Sequence, residues 1–137
     1  MQINFSKIIN LPKIEDSRGN LSFVESCNQI PFQIKRSYWI YDVPGGHYRG
    51  GHAFKTQQEF IIALSGSFDV KLNDGEKEKI FSLNRSYYGL YVPNMLWREM
   101  LNFSTNSLAL IVSSTTYSDA DYIRDFDLFL NLALNER

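Results

Sequence analysis

The chain has 137 residues, enough for one domain spanning 1–137 with its own core, and its 44% apolar and 15% aromatic content excludes a disordered protein. With 14 Lys and Arg against 15 Asp and Glu the net charge is close to zero, so no global field recruits nucleic acid or an anionic membrane, and any anion site has to be local. The single cysteine, Cys27, excludes an intrachain disulfide and reads as a free core thiol of a protein from a reducing compartment.

The N-terminal stretch has no basic head leading into a long apolar run and a small-residue cleavage site, and no segment is long enough to cross a bilayer, so a cytoplasmic location is expected. Short apolar or alternating segments follow in chain order: Leu21–Ser26, Arg36–Val43, Glu59–Leu64, Phe68–Leu72, Lys79–Leu83, Gly89–Val92, Leu96–Leu101 and Ser107–Ser113. Turn-forming residues separate them, which predicts a run of strands. Phe68, Val70 and Leu72 alternate with polar neighbours up to Asn73-Asp74-Gly75, so a hairpin with one buried face is expected there, with Gly75 taking a positive φ. Leu108 to Val112 is apolar at every position and belongs at the centre, covered on both faces. After Ser118 the apolar period becomes helical through Tyr122, Ile123, Phe126, Phe129, Leu130 and Ala133, with Asp119 and Asp121 in the first turn and Ser118 as N-cap. Many short strands and one C-terminal helix predict an all-β antiparallel jelly roll (a β-barrel) closed by that helix.

Chemistry concentrates in two segments. Gly46-x5-His52-x-Phe54-x4-Glu59-x6-Gly66 has the spacing of a cupin metal motif with phenylalanine at one histidine position. Pro93-x-Met95-x2-Arg98-x3-Asn102 has the spacing of the second motif, with Arg98 at its histidine position. A guanidinium repels a metal ion, so the expected site takes no metal and is built for an anionic ligand. Residues two apart on a strand share a face, which aims His52 and Phe54 into the barrel mouth. His52 is the first candidate for proton transfer, since imidazole changes charge near neutral pH. Arg18, Arg49 and Arg98 lie in or beside turns and strand ends. Arg98 shares a face with Leu96 and Met100, so it is either paired or ligand-facing, because an unpaired buried guanidinium is too costly. Tyr38, Trp39, Tyr41, Tyr48 and Tyr91 supply aromatic surface around the same segments, mostly core, with Tyr38 able to hydrogen-bond a carbonyl or hydroxyl.

Lys35 to Asp42, Arg49-Gly50-Gly51-His52-Ala53-Phe54-Lys55, Gly89-Leu90-Tyr91-Val92-Pro93, Trp97-Arg98-Glu99-Met100 and Asp121-Tyr122-Ile123-Arg124 together resemble the dTDP-sugar 3,4-ketoisomerases. These are small cupins of bacterial deoxysugar biosynthesis. The resemblance implies a homodimer that needs no metal or other cofactor. It also implies conversion of dTDP-4-keto-6-deoxyglucose to the 3-keto isomer, which an aminotransferase uses to make 3-amino sugars for surface glycans. It matches His52, Tyr38 and Arg49 to the family's catalytic positions, and Arg18 and Arg98 to positions linked to the face of C4 reprotonation. With these go Glu59, Tyr91 and His47 as expected substrate contacts. The family's second motif histidine, its proton-shuttle candidate, is Phe54 here. The proton then falls to His52, His47, Glu59 or Tyr38, unless the substrate differs or the chain is an inactive cupin that binds a nucleotide sugar. A metal-dependent cupin using His52, Glu59 and His47 is the remaining alternative.

Overall fold

The computed structural model describes residues 2–135. Its strands are β1 (Lys7–Asn10), β2 (Lys13–Ile14), β3 (Leu21–Ser22), β4 (Arg36–Tyr41), β5 (Arg49–Phe54), β6 (Glu59–Ser65), β7 (Phe68–Asn73), β8 (Glu78–Leu83), β9 (Tyr88–Val92), β10 (Trp97–Leu101), β11 (Leu108–Ser113) and β12 (Tyr122–Ile123), followed by the helix α1 (Phe126–Asn135). Two five-stranded antiparallel sheets, β1-β9-β6-β11-β4 and β12-β5-β10-β7-β8, form the jelly roll expected from the sequence, with β2 and β3 as a separate ribbon.

Alternation decides what fills the space between the sheets. Ile61, Ala63, Leu90, Ala109 and Ile111 from the first sheet meet Phe68, Val70, Leu72, Leu83 and Met100 from the second in one buried cluster. Each fully buried Leu, Ile or Phe contributes roughly 1.5–3 kcal/mol. The intervening residues of the first sheet, Phe60, Ile62, Tyr91 and Val112, face the other way and are covered by Leu11, Ile30 and Phe32. Strand β11 therefore lies between two covered faces, as its unbroken apolar run requires. The β7–β8 hairpin turns through Asp74, whose side-chain oxygen accepts from Glu76 N and Lys77 N at 2.8 Å, while Gly75 takes φ 99°.

Two expectations are corrected. The helix does not start after Ser118, whose side chain makes no cap bond: residues Asp119–Asp121 form a 3-10 turn, and Tyr122 and Ile123 pair with Phe54 and Ala53. The carboxylate of Asp121 accepts from Thr56 N at 2.9 Å and Gln57 N at 3.0 Å, and this anchor to the bend after β5 overrides helical propensity. Asp125 accepts the Asp127 N–H at 3.1 Å where α1 begins, and Phe129 and Ala133 seat the helix on Ala53, Trp97 and Ile123 outside the second sheet. Cys27 is exposed, in a turn with φ 57°, and is not in the core.

Candidate active site

One register irregularity builds the site. Strand β10 pairs Arg98 with His52 but Glu99 with Gly50, which leaves Gly51 as an extra residue on β5. Plain alternation would put Arg49 and His52 on opposite faces; the bulge turns both toward one cleft. Gly50 and Gly51 have φ 106° and 76°, and a Cβ on Gly50 would lie 2.8 Å from the Arg98 carbonyl oxygen. Only glycine fits that conformation and that approach without strain.

The cleft has a volume of about 670 Å3 and is lined by Tyr38, Trp39, Tyr48, Arg49, His52 and Arg98, with Tyr122 and Arg124 completing the wall. Such a volume falls within the roughly 300–1,000 Å3 of small-ligand sites. Its floor joins the two sheets. Arg98 of β10 and Glu59 of β6 are 2% and 1% exposed, with Arg98 Nε 2.7 Å from Glu59 Oε1. This contact is an ion pair whose N–H is not aimed at the oxygen, since neither atom has an aligned hydrogen-bond partner. The aligned bonds run through Tyr38: its hydroxyl donates to Glu59 Oε2 and accepts from Arg98 Nη2 at 2.8 Å. Gln57 Nε2 donates to the same Glu59 oxygen at 2.9 Å, and Thr115 Oγ1 donates to Gln57 Oε1 at 2.6 Å. The guanidinium of Arg36 lies 4.5 Å from the centre of the Tyr38 ring.

This floor fixes protonation. Burial would weaken the hold of Arg98 on its proton, but the charge of Glu59 and the neighbouring Tyr38 and Tyr122 more than offset it, so Arg98 stays charged. Burial drives the Tyr38 phenol far above its ordinary value; Arg98 opposes that rise and Glu59 adds to it. His52 is depressed from 6.5 to about 3, first by burial and then by the charges of Arg98 and Arg124, so its imidazole is neutral at physiological pH. The centre of its ring lies 4.9 Å from that of Phe54, the two rings T-shaped, and 5.1 Å from that of Tyr122.

The structure thus brings Tyr38, Arg49, His52 and Arg98 together and leaves other expected contacts outside the cleft wall. Glu59 is part of the floor, its carboxylate engaged by Tyr38, Arg98 and Gln57 rather than open to a ligand. Tyr91 faces the outer cluster with Phe32, and its hydroxyl donates to Gln58 Oε1 at 2.5 Å. Strand alternation puts it on the far side of its sheet, because Leu90 and Val92 take the inner face. His47 is exposed in the turn before β5, and Arg18 is exposed in the turn between β2 and β3, where it pairs with Asp16 at 2.7 Å. Phe54 is 4% exposed and lies behind His52 rather than in the mouth. Among the described residues no three His, Cys, Asp or Glu side chains converge as metal ligands, so His52, Glu59 and His47 do not form the alternative metal set.

Tyr122 and Arg124 were not among the expected site residues. Arg124 lies 4.1 Å over the Tyr122 ring and donates to Asp119 at 2.8 Å, and both residues reach the cleft because β12 pairs with β5. The only signal in the sequence was their place in the motif Asp121-Tyr122-Ile123-Arg124, hidden by the helical period that runs across it.

Known proteins are similar to this chain in sequence and fold. A TDP-4-oxo-6-deoxy-alpha-D-glucose-3,4-oxoisomerase from Aneurinibacillus thermoaerophilus is 41% identical over 124 residues, covering 90% of this chain and 89% of that protein. The TDP-quinovose 3,4-ketoisomerase WlaRB from Campylobacter jejuni superposes with TM-score 0.88 at 44% identity, covering 92% of this chain and 97% of that one. A histidine-to-asparagine variant of the 3,4-ketoisomerase QdtA from Thermoanaerobacterium thermosaccharolyticum, solved in complex with TDP-4-keto-6-deoxyglucose, gives TM-score 0.93 at 35% identity, covering 95% and 94%. The family model FdtA, described as WxcM-like, C-terminal, matches residues 4–134. Matched over nearly its whole length, the chain belongs to the FdtA family of WxcM-like C-terminal domains.

Proposed function

We propose that this protein is a 3,4-ketoisomerase of a TDP-linked 4-keto-6-deoxyhexose, acting by enediol proton transfer in the cleft. The observation that carries this reading is the convergence of His52, Tyr38, Arg49 and Arg98 on one cleft in a chain of this family. Moving a ketone from C4 to C3 requires a base for the C3 proton, stabilisation of the enediolate oxygens and return of a proton at C4. A neutral imidazole suits the first of these and the imidazolium it becomes suits the last, and His52 starts neutral. It takes the C3 proton to become imidazolium and gives it back at C4. Tyr38 has committed its hydroxyl proton to Glu59 and one lone pair to Arg98, so its remaining lone pair is available to a sugar hydroxyl. Arg98, held by Glu59, places a fixed positive charge beside that hydroxyl, where enediolate charge develops.

Arg49 is exposed at the rim, and its guanidinium has no ion pair or hydrogen bond among the described residues. It is the group assigned to the diphosphate, which a planar fork of donors can hold bidentately. Trp39 and Tyr48, 58% and 63% exposed, offer flat rings to the base and ribose. Arg18 is retained as a substrate contact only in a homodimer, where the β2–β3 ribbon of one copy would reach the cleft of the other. A homodimer is supported by β4, an edge strand that exposes Trp39 and Tyr41. Cytoplasmic synthesis of amino sugars for surface glycans completes the reading.

The test is incubation of the protein with TDP-4-keto-6-deoxyglucose followed by NMR of the sugar. The expected product is the 3-keto isomer; an unchanged sugar rejects the assignment for that substrate. Phe54 favours one rival, a cupin that binds the nucleotide sugar without turnover, which predicts saturable TDP binding and no product.

A further inference from the structure

Gln57 is 2% exposed and Thr115 half-buried, and neither lines the cleft, yet a row of hydrogen bonds joins both to Tyr38, which does. Thr115 Oγ1 donates to Gln57 Oε1 at 2.6 Å, and Gln57 Nε2 donates to Glu59 Oε2 at 2.9 Å. The Tyr38 hydroxyl donates to the same Glu59 oxygen, and Arg98 Nη2 donates to the Tyr38 oxygen at 2.8 Å. The chemistry of the groups dictates each direction. A guanidinium has only donors, so Tyr38 accepts from Arg98 and has to send its own proton elsewhere. An ionised carboxylate has only lone pairs, so it takes that bond and meets Gln57 at the amide nitrogen. The amide oxygen at the other end then needs a donor, and Thr115 supplies it.

Gln57 keeps this arrangement from collapsing onto the ion pair. Arg98 sets Nε 2.7 Å from Glu59 Oε1 without an aligned bond and gives Nη2 to Tyr38. A carboxylate with both oxygens free turns to meet a guanidinium side-on, one oxygen to each arm of the fork, and that would take both partners from Tyr38. Donation from Gln57 ties Oε2 to the Tyr38 side. The place of Gln57 is itself fixed, since its backbone N–H donates to Asp121 Oδ2 at 3.0 Å.

We infer that Gln57, its amide oriented by Thr115, is a positioning residue of the reaction: it holds Glu59 for Tyr38, so that Tyr38 meets the bound sugar as a hydrogen-bond acceptor. In a 4-keto substrate only one of the two reacting oxygens carries a proton, so Tyr38 takes the C3 hydroxyl and not the C4 carbonyl. The inference rests on the isomerase reading and deepens it, adding two residues outside the cleft and the direction of one substrate contact.

The test uses the full chain carrying tyrosine labelled with carbon-13 at Cζ, whose NMR signal reports the hydrogen bonding of the phenol. Tyr38→Phe identifies the Tyr38 signal among the 8 tyrosines. Gln57→Met keeps the length of the side chain without its donor, Thr115→Val keeps the shape without the hydroxyl, and Thr115→Ser keeps the hydroxyl. The Tyr38 signal is expected to move in Gln57→Met and Thr115→Val and to stay in place in Thr115→Ser. With TDP-4-keto-6-deoxyglucose, kcat is expected to fall about tenfold in Gln57→Met and about threefold in Thr115→Val, and to stay at the wild-type value in Thr115→Ser. KM and the affinity for TDP are expected to stay within about twofold in all three, because neither residue touches the ligand. An unmoved Tyr38 signal in Gln57→Met, or TDP affinity lost in step with kcat, overturns the inference. If Gln57→Met does not fold, Thr115→Val decides by the same readings. The spectrum needs no substrate, so an unmoved signal with intact wild-type turnover sinks this inference alone, and a moved signal without wild-type turnover sinks the isomerase reading alone.

Discussion

Changing Glu59 to glutamine tests the floor of the cleft, because it removes the counter-charge of Arg98 while keeping the shape of the side chain. The two side chains are 1% and 3% exposed, so water cannot take the place of the lost carboxylate. The amide oxygen can still accept from Tyr38 and Gln57, which confines the loss to the charge itself. Breaking a buried ion pair from one side costs about 3–5 kcal/mol, and the retained hydrogen bonds argue for the lower end, about 3 kcal/mol. In a domain of this size that lowers Tm by roughly 10 °C. Arg98→Met strands Glu59 instead and costs about as much, whereas the double variant Glu59→Gln with Arg98→Met leaves no unpaired charge and loses far less than the sum. Urea unfolding of the four proteins, followed by circular dichroism, measures the cycle. A loss below about 1 kcal/mol for Glu59→Gln, or additive losses in the double variant, would refute the argument that this pair is dry and mutually dependent.

Three further outcomes are expected. Because His52 is depressed from 6.5 to about 3, the unfolded chain binds the extra proton in that window. Its contribution to stability is complete above 6.5 and is lost as pH falls toward 3, with a slope of at most about 1.4 kcal/mol per pH unit. His52→Asn should flatten that slope in urea unfolding between the two values, and an unchanged slope contradicts the depressed pKa. Arg49→Lys should weaken TDP binding about tenfold in calorimetry without changing Tm, since an ammonium cannot hold a diphosphate bidentately; equal affinity would remove Arg49 from the phosphate site. Gly50→Ala should cost more than about 1 kcal/mol, because φ 106° is strained for alanine and the new Cβ meets the Arg98 carbonyl oxygen, and it should lower activity beyond its effect on folding by displacing His52. Wild-type stability and activity in that variant would mean that the bulge does not aim the histidine.

The sequence exposed what depends on local periodicity. The alternation of Phe68, Val70 and Leu72 gave the hairpin, and the unbroken run from Leu108 to Val112 gave a strand covered on both faces. The position of Arg98 between Leu96 and Met100 announced a buried guanidinium, either paired or ligand-facing, and the structure pairs it with Glu59 at the wall of the cleft. Its partner could not be read, because Glu59 lies on the other sheet and only the packing of the two sheets brings the side chains together. Tyr122 and Arg124 were hidden for a similar reason: the strand that holds Tyr122 and leads into Arg124 forms where Asp121 anchors the bend after β5, a tertiary bond that local helical period cannot reveal. Tyr91 and Glu59 illustrate the reverse error. Each lies in a motif near the site, yet one faces away from it and the other is consumed in supporting it.

The central claim is that a neutral His52, aimed by a glycine bulge and seated above the Tyr38, Glu59 and Arg98 floor, carries hydrogen between adjacent carbons of a TDP-linked keto-sugar. Proton NMR of TDP-4-keto-6-deoxyglucose incubated in D2O with wild type and with His52→Asn tests it most directly. The account predicts deuterium at the exchanging carbons and the 3-keto product with wild type, and neither with His52→Asn, although that variant still binds TDP. Exchange at an equal rate in both proteins, or in neither, would contradict it.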